Sequence, residues 1–245
     1  MLILVLSLLT QSLLAETLNI IGIPGAPYRF YNEENQLVGF DVDILNEVMT
    51  TLDLEYKIEL LDSSTRLTQM WQSPDVDMVF TLSKKAQRLK LLTYAEEPHI
   101  NLSWNFFIRK SNEGKIKYDT LDDLKGLKVG ATKSFAYTDE FWAADLDLDV
   151  MPNNDKQLKK LINNRFDVVP MTTLSTLHKA RINGQIDKIT FLPKVLVYTK
   201  LYNTFTKTST YPNKAKLIRE YNLTIKKLTK SGQIQAIFDK YNYSE

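Results

Sequence analysis

This chain contains no cysteine. That excludes structural disulfides, thiolate metal sites, cysteine nucleophiles and lipid attachment to an N-terminal cysteine. It has two histidines, His99 and His178, too few for a histidine-rich metal centre. Neither is spaced with a carboxylate and a nucleophile as a catalytic triad requires. No sign of charge dominates, since 31 Lys+Arg against 29 Asp+Glu leave a formal +2. No basic cluster is interleaved with aromatics, so a nucleic-acid surface is not expected. Internal repeats and low-complexity tracts are missing as well. What remains is 245 residues with 44% hydrophobic content, enough for one large core or two modest ones.

The only long apolar run is Met1–Ala15 (MLILVLSLLTQSLLA). It is too short to span a bilayer and reads as a secretory leader ending near Ala15. No basic residue precedes it, and Leu13 is not the small residue favoured three places before a cut. The alternative is a buried first strand or helix. As a leader, residues 1–15 are set apart from the fold, and the mature chain begins at Glu16.

From Leu18 the pattern alternates between strands and helices. Leu18–Ile23 reads as a buried strand opening into a loop at Pro24 and Gly25, with Tyr28 and Phe30 in that loop. Asn32–Asn35 reads as a hairpin tip. Phe40, Ile44, Leu45, Val48, Met49 and Leu52 recur at helical spacing, with Asp41 and Asp43 where the helix dipole favours negative charge. Leu54–Leu60 alternates strictly between apolar and charged residues, a half-buried strand. A helix with Leu67, Met70 and Trp71 inside follows, capped by Ser64 or Thr65, and then a strand over Asp77–Phe80. Strand–helix–strand–helix–strand predicts a mainly parallel α/β sheet, whose ligands sit beyond the carboxyl ends of its strands.

A second α/β unit begins near Arg109. It has a short helix and glycine stop before a strand from Leu127, and a helix starting near Ser134 that carries Phe135, Tyr137 and Phe141. A further helix has Leu158, Leu161 and Ile162, and a strand over Asp167–Val169 leads to Thr172 and Thr173 before another helix. Phe191–Phe205 is extended, and residues 212–241 read as two helices broken at Ser231–Gly232.

Chemistry concentrates in DMVFTLSKKAQRLKLLTYAEEP, residues 77–98. A buried strand runs out into Thr81 and Ser83, and Arg88 follows one turn into a predicted helix. Hydroxyls, backbone N–H groups and a guanidinium aimed at one point suit a carboxylate held bidentately. The alternative is an ordinary strand-to-helix turn with a surface arginine. Arg66, at the start of the preceding helix, is either a second cation in the cleft or a surface residue paired with a neighbouring acid such as Asp62.

Four segments resemble the bacterial periplasmic solute-binding proteins of the polar-amino-acid family. They are GAPYRFYNEENQLVGFDVDILNEVM, VDMVFTLSKKAQR, LKGLKVGATKSFAYTDEF and IKKLTKSGQIQAIFDKY, in family order. The resemblance implies a two-lobed type II periplasmic-binding fold with two hinge crossings. One discontinuous lobe would take residues 16–107 and 203–245, and the other residues 108–202. It implies a ligand bound between lobes that close over it, with Arg88, Thr81 and Ser83 gripping a carboxylate. The second lobe's contribution falls at Ser134-Phe135-Ala136, where backbone donors stand in for a family Gly-Thr-Thr. Tyr28 and Phe135 are candidates to sandwich the ligand, with Tyr137 beside them, although aromatics are more often packing residues.

Thr172 stands where the family has an aspartate for the ligand ammonium. A threonine cannot offset a buried positive charge, whose unpaired desolvation costs several kcal/mol. With Arg66 and Arg88 both in the cleft, an anionic ligand is expected. The resemblance therefore implies a periplasmic, monomeric, non-enzymatic carrier that needs no cofactor or metal. It would deliver a carboxylate-bearing solute to an ABC permease or to a sensor kinase's outer domain. The competing readings are a dehydratase-like enzyme of the same fold, which would need an acid/base pair in the cleft, and a sensing protein with no transport role.

Overall fold

The computed structural model describes residues 16–133, 137–151 and 156–241, the Ser64 side chain excepted. The predicted leader and the Ser134-Phe135-Ala136 stretch lie outside the described residues.

The first half contains β1 (Leu18–Gly22), the short hairpin β2 (Phe30–Tyr31) and β3 (Leu37–Val38), α1 (Phe40–Thr51), β4 (Tyr56–Leu60), α2 (Ser64–Met70) and β5 (Met78–Ser83). Gly39 lies between β3 and α1 with φ of 128°, and a Cβ there would come within 2.2 Å of the Tyr28 carbonyl oxygen. Only glycine lets the hairpin fold back this closely on the helix start. A 3-10 turn over Ala86–Lys90 leads to β6 (Leu92–Tyr94) and the long β7 (Ile100–Arg109).

The second half contains β8 (Lys128–Thr132), α3 (Asp139–Ala143), β9 (Asp147–Met151), α4 (Gln157–Ile162), β10 (Val168–Thr172), α5 (Thr173–Ile182) and the 18-residue β11 (Ile189–Thr206). Helices α6 (Lys214–Lys230) and α7 (Gln233–Lys240) close the described chain. Between them Gly232 has φ of 80°, the left-handed conformation behind the predicted break.

One nine-stranded sheet has the order β4-β1-β5-β11-β7-β10-β8-β9, with β6 also on β11. β1 pairs in parallel with β4 and β5, and β8 in parallel with β9 and β10. The antiparallel pairings of this sheet all involve β7 or β11, which pair with each other from Ile189–Arg109 to Leu201–Ile100. These two strands are the crossings between two parallel units.

Alternate residues of the inner strands feed opposite faces, as the two-residue period of a strand requires. Ile20, Met78 and Phe80 join the cluster under α1 and α6, whereas Ile21 and Val79 join the one around Leu67 and Trp71; past a register shift Leu82 joins this second face too. In the second unit Phe106, Ile108, Val129 and Val168 pack with Phe141, and Phe107, Val169 and Met171 pack with Leu161 and Phe166. Each unit therefore has its own two-faced core, and the molecule is two-lobed. Among the described residues of the second unit, Leu174 at the start of α5 and Leu201 of β11 pack against the first unit's core.

Candidate functional site

The carboxyl end of β5 is built around a bulge. Opposite β11, Leu82 pairs with Tyr202 and Val79 with Thr204, so Asn203 alone faces Phe80 and Thr81. Two residues against one bend a strand and re-aim its side chains. Thr81 takes a left-handed φ of 37°, unusual for a β-branched residue. Its backbone N–H donates to the Asn203 side-chain oxygen at 3.0 Å. Its own hydroxyl is buried with no hydrogen-bond partner.

Beyond the bulge, Arg88 sits in the 3-10 turn rather than in the predicted helix. One guanidinium nitrogen donates to the Ser83 carbonyl at 2.9 Å and lies 3.4 Å from its hydroxyl. Tyr94 donates its hydroxyl to the same carbonyl at 3.0 Å. The Arg88 guanidinium also lies 5.7 Å from the centre of the buried Trp71 ring, within cation–π range. Among the described residues no carboxylate pairs with Arg88. The fold thus brings Ser83 and Arg88 together, with Thr81 two residues before Ser83, and engages the guanidinium through one nitrogen.

The other predicted residues are placed differently. Arg66 is half exposed and pairs with Glu59 at 3.3 Å. The surface alternative holds for it, with Glu59 of β4 as partner in place of Asp62. Tyr28 is buried, packed edge-on against Phe40 at 4.7 Å, and burial raises its phenol pKa above the ordinary 10.0. Tyr137 precedes α3, which starts at Asp139 behind a Thr138 cap, so Tyr137 itself lies outside that helix. It is buried between Trp104 and Phe141. Its hydroxyl donates to the Pro170 carbonyl at 3.2 Å. Thr172 ends β10, makes no side-chain cap for α5, and lines a cavity of about 70 Å³ with Ser175 and Lys179.

The two lobes touch where the Phe30 ring meets the His178 ring at 5.5 Å. A cavity of about 410 Å³ at their junction is lined by His99, Ser103, Leu174, Tyr198 and Phe238 among others. None of the predicted site residues among the described residues lines it.

Sequence reasoning missed a buried polar chain behind the site. Arg29 pairs with Asp41, which is fully buried at the start of α1. His99, also buried, meets the Asp41 carbonyl at 3.1 Å through Nε2. Its Nδ1 lies 3.2 Å from the Asn203 amide nitrogen, which also donates to the Tyr221 hydroxyl at 2.9 Å. Burial lowers the His99 pKa below its ordinary 6.5, with Asp41 opposing. One signal was readable beforehand. Asp41 shares the helix stripe of Ile44, Leu45 and Val48, and an acid on an apolar stripe needs a partner.

The profile of the bacterial extracellular solute-binding proteins, family 3, matches residues 20–244 of this chain. The Bacillus subtilis (strain 168) protein YxeM, a probable amino-acid-binding protein, is 23% identical over 226 residues, 90% of this chain and 82% of its own. Substrate binding domain 2 of Lactococcus lactis GlnP, in an open conformation, is 20% identical over 94% of this chain and 96% of that one, with a TM-score of 0.76. A histidine kinase sensor domain with similarity to periplasmic binding proteins is 18% identical, covers 91% and 95%, and has a TM-score of 0.65. At these identities the two structures speak for the fold.

Proposed function

This chain belongs to the bacterial extracellular solute-binding proteins, family 3, and on that footing we propose that it captures a small carboxylate-bearing, amino-acid-like or anionic solute between its lobes, with Arg88 as the grip. The observation that carries this reading is the Arg88 guanidinium. It is held by Ser83, seated over Trp71 and without a paired acid among the described residues. Thr81 and Ser83 are the neighbouring hydroxyls. The exposed pairing of Arg66 with Glu59 favours a site with one arginine, in which a single carboxylate is the recognised group. Neutral Thr172 supports ligands that carry no ammonium at that end.

The proposed lobes are residues 16–107 with 203–245, and residues 108–202. Residues 1–15 are proposed to be a leader that takes the chain to the periplasm. There the loaded protein would serve an ABC permease or a sensor's outer domain. The likeness to a substrate binding domain and to a sensor domain supports these two destinations equally.

The test is a thermal-shift screen of residues 16–245 with L-α-amino acids and with amine-free acids such as succinate and citrate. A solute at 100 times its Kd raises stability by about 2.7 kcal/mol. Arg88→Ala is expected to remove that shift. A full shift in Arg88→Ala, or shifts by amines that carry no carboxylate, would overturn the reading.

A further inference from the structure

We propose that Asn203, on the crossing strand β11, is the positioning residue of the Arg88 site. It would hold the Thr81 bulge in its left-handed shape and register it to the crossing itself. The inference rests on the carboxylate reading above and adds to it a residue outside the ligand's reach.

The geometry is closed on all sides of the amide. The Asn203 side-chain oxygen accepts the Thr81 N–H at 3.0 Å, while its nitrogen serves the Tyr221 hydroxyl at 2.9 Å and His99 Nδ1 at 3.2 Å. One acceptor and two donors are thus in use, and the amide can take only one orientation. The same bonds fix the His99 tautomer. Nδ1 accepts from Asn203, so Nε2 carries the proton and donates to the Asp41 carbonyl at 3.1 Å. Asn203, His99, Asp41 and Tyr221 are all buried at 2% exposure or less. Rotating the amide in that setting strands buried polar groups.

The bulge needs this support. At the point where Asn203 stands alone against Phe80 and Thr81, the ladder between β11 and β5 is interrupted. Thr81 would otherwise leave its N–H unpaired in the interior while holding a φ that β-branched residues avoid. Thr81 is followed two residues later by Ser83, whose carbonyl and hydroxyl seat Arg88. A change of backbone at Thr81 therefore moves the seat of the guanidinium. Because Asn203 belongs to a strand shared by both lobes, the grip is registered to the crossing and not to its own lobe alone.

The test compares residues 16–245 as wild type, Asn203→Thr, Asn203→Asp and Leu161→Ala. Threonine suits a strand but lacks the amide, aspartate restores an acceptor for Thr81, and Leu161→Ala weakens the other lobe's buried core. Two readouts are taken: hydrogen exchange of the Thr81 amide, and Kd for succinate and for L-glutamine. In Asn203→Thr the Thr81 amide is expected to exchange at least tenfold faster, with the Val79 amide unchanged. Affinity for whichever probe binds wild type should fall at least tenfold. Asn203→Asp keeps the acceptor for Thr81 but loses both donors and buries a carboxylate, so it should protect Thr81 better than Asn203→Thr and lose less affinity, at a lower Tm than wild type; Leu161→Ala should change neither despite a lower Tm. Tyr221→Phe, which removes only a hydroxyl that orients the amide, should give the same changes at smaller size and serves if Asn203→Thr does not fold. Unchanged Thr81 exchange overturns the proposal, as does a Leu161→Ala affinity loss equal to that of Asn203→Thr. If wild type binds neither probe, the carboxylate reading fails for both, and the Thr81 exchange alone decides the role of Asn203.

Discussion

The Arg29 guanidinium meets the Asp41 carboxylate where that acid has no exposure to solvent, tying the loop after β1 to the first turn of α1. Asp41 also donates its backbone N–H to the Tyr28 carbonyl at 2.9 Å. Removing Arg29 would leave a buried charge uncompensated. Arg29→Ala is expected to destabilise the protein by about 3–5 kcal/mol, read as a fall in the urea midpoint at constant slope. A loss below about 1 kcal/mol would show that water replaces the guanidinium and that the pair contributes little.

The same cluster sets a pH dependence. Burial lowers the His99 pKa from 6.5, partly opposed by the charge of Asp41, with Arg29 adding to the lowering. An unfolded chain takes up the proton that the folded imidazole refuses, so this group's contribution is fully present above pH 6.5. It is lost as pH falls below 6.5 toward the folded pKa. His178 is lowered too, by burial and Arg181, so the measurement is a difference between wild type and His99→Gln in urea unfolding from pH 7.5 to 5. The wild type should lose stability more steeply than the variant. Equal slopes would mean that the folded protein takes up the His99 proton as readily as the unfolded chain does.

Arg66 separates a one-arginine site from a two-arginine site. Both side chains of its pair with Glu59 are more than half exposed, at 55% and 56%. Exposed pairs of this kind contribute under about 1 kcal/mol. Arg66→Ala should change stability by no more than that and leave the affinity for succinate or L-glutamine within about twofold, measured by titration calorimetry. A tenfold loss of affinity would return Arg66 to the cleft.

Much of the fold was legible wherever one local rule acted alone. The strict alternation from Leu54 to Leu60 became β4, and the Ser231–Gly232 break became the joint between α6 and α7. β9 carries the same alternation in Asp147, Leu148, Asp149 and Val150 but over too few residues to stand out, and its acids suit a strand at the sheet's edge. The turn at Arg88 reads as a helix by composition, yet it stops as a 3-10 segment because Leu92 must enter the sheet beside Thr206. Tyr28 sits in a loop yet reads more as a packing residue than as a ligand contact, and that loop folds back over Phe40 through Gly39. Asn203 was out of reach for a different reason. Its partners Thr81, His99 and Tyr221 lie 122, 104 and 18 residues away, and no periodicity encodes such a meeting.

The pairing of β7 with β11 also has a mechanical consequence. Between Val197–Trp104 and Leu201–Ile100 five consecutive pairs run without a slip. On one side of that run the ladder slips at Phe191–Val197; on the other it ends at Leu201–Ile100, and β11 continues against β5, where its register shifts at Tyr202–Thr204. A doubly bonded ribbon resists bending along its paired length and yields where the ladder is broken. The connection between the lobes is a short strut with a knuckle at each end, and one of those knuckles is the place where Asn203 holds Thr81.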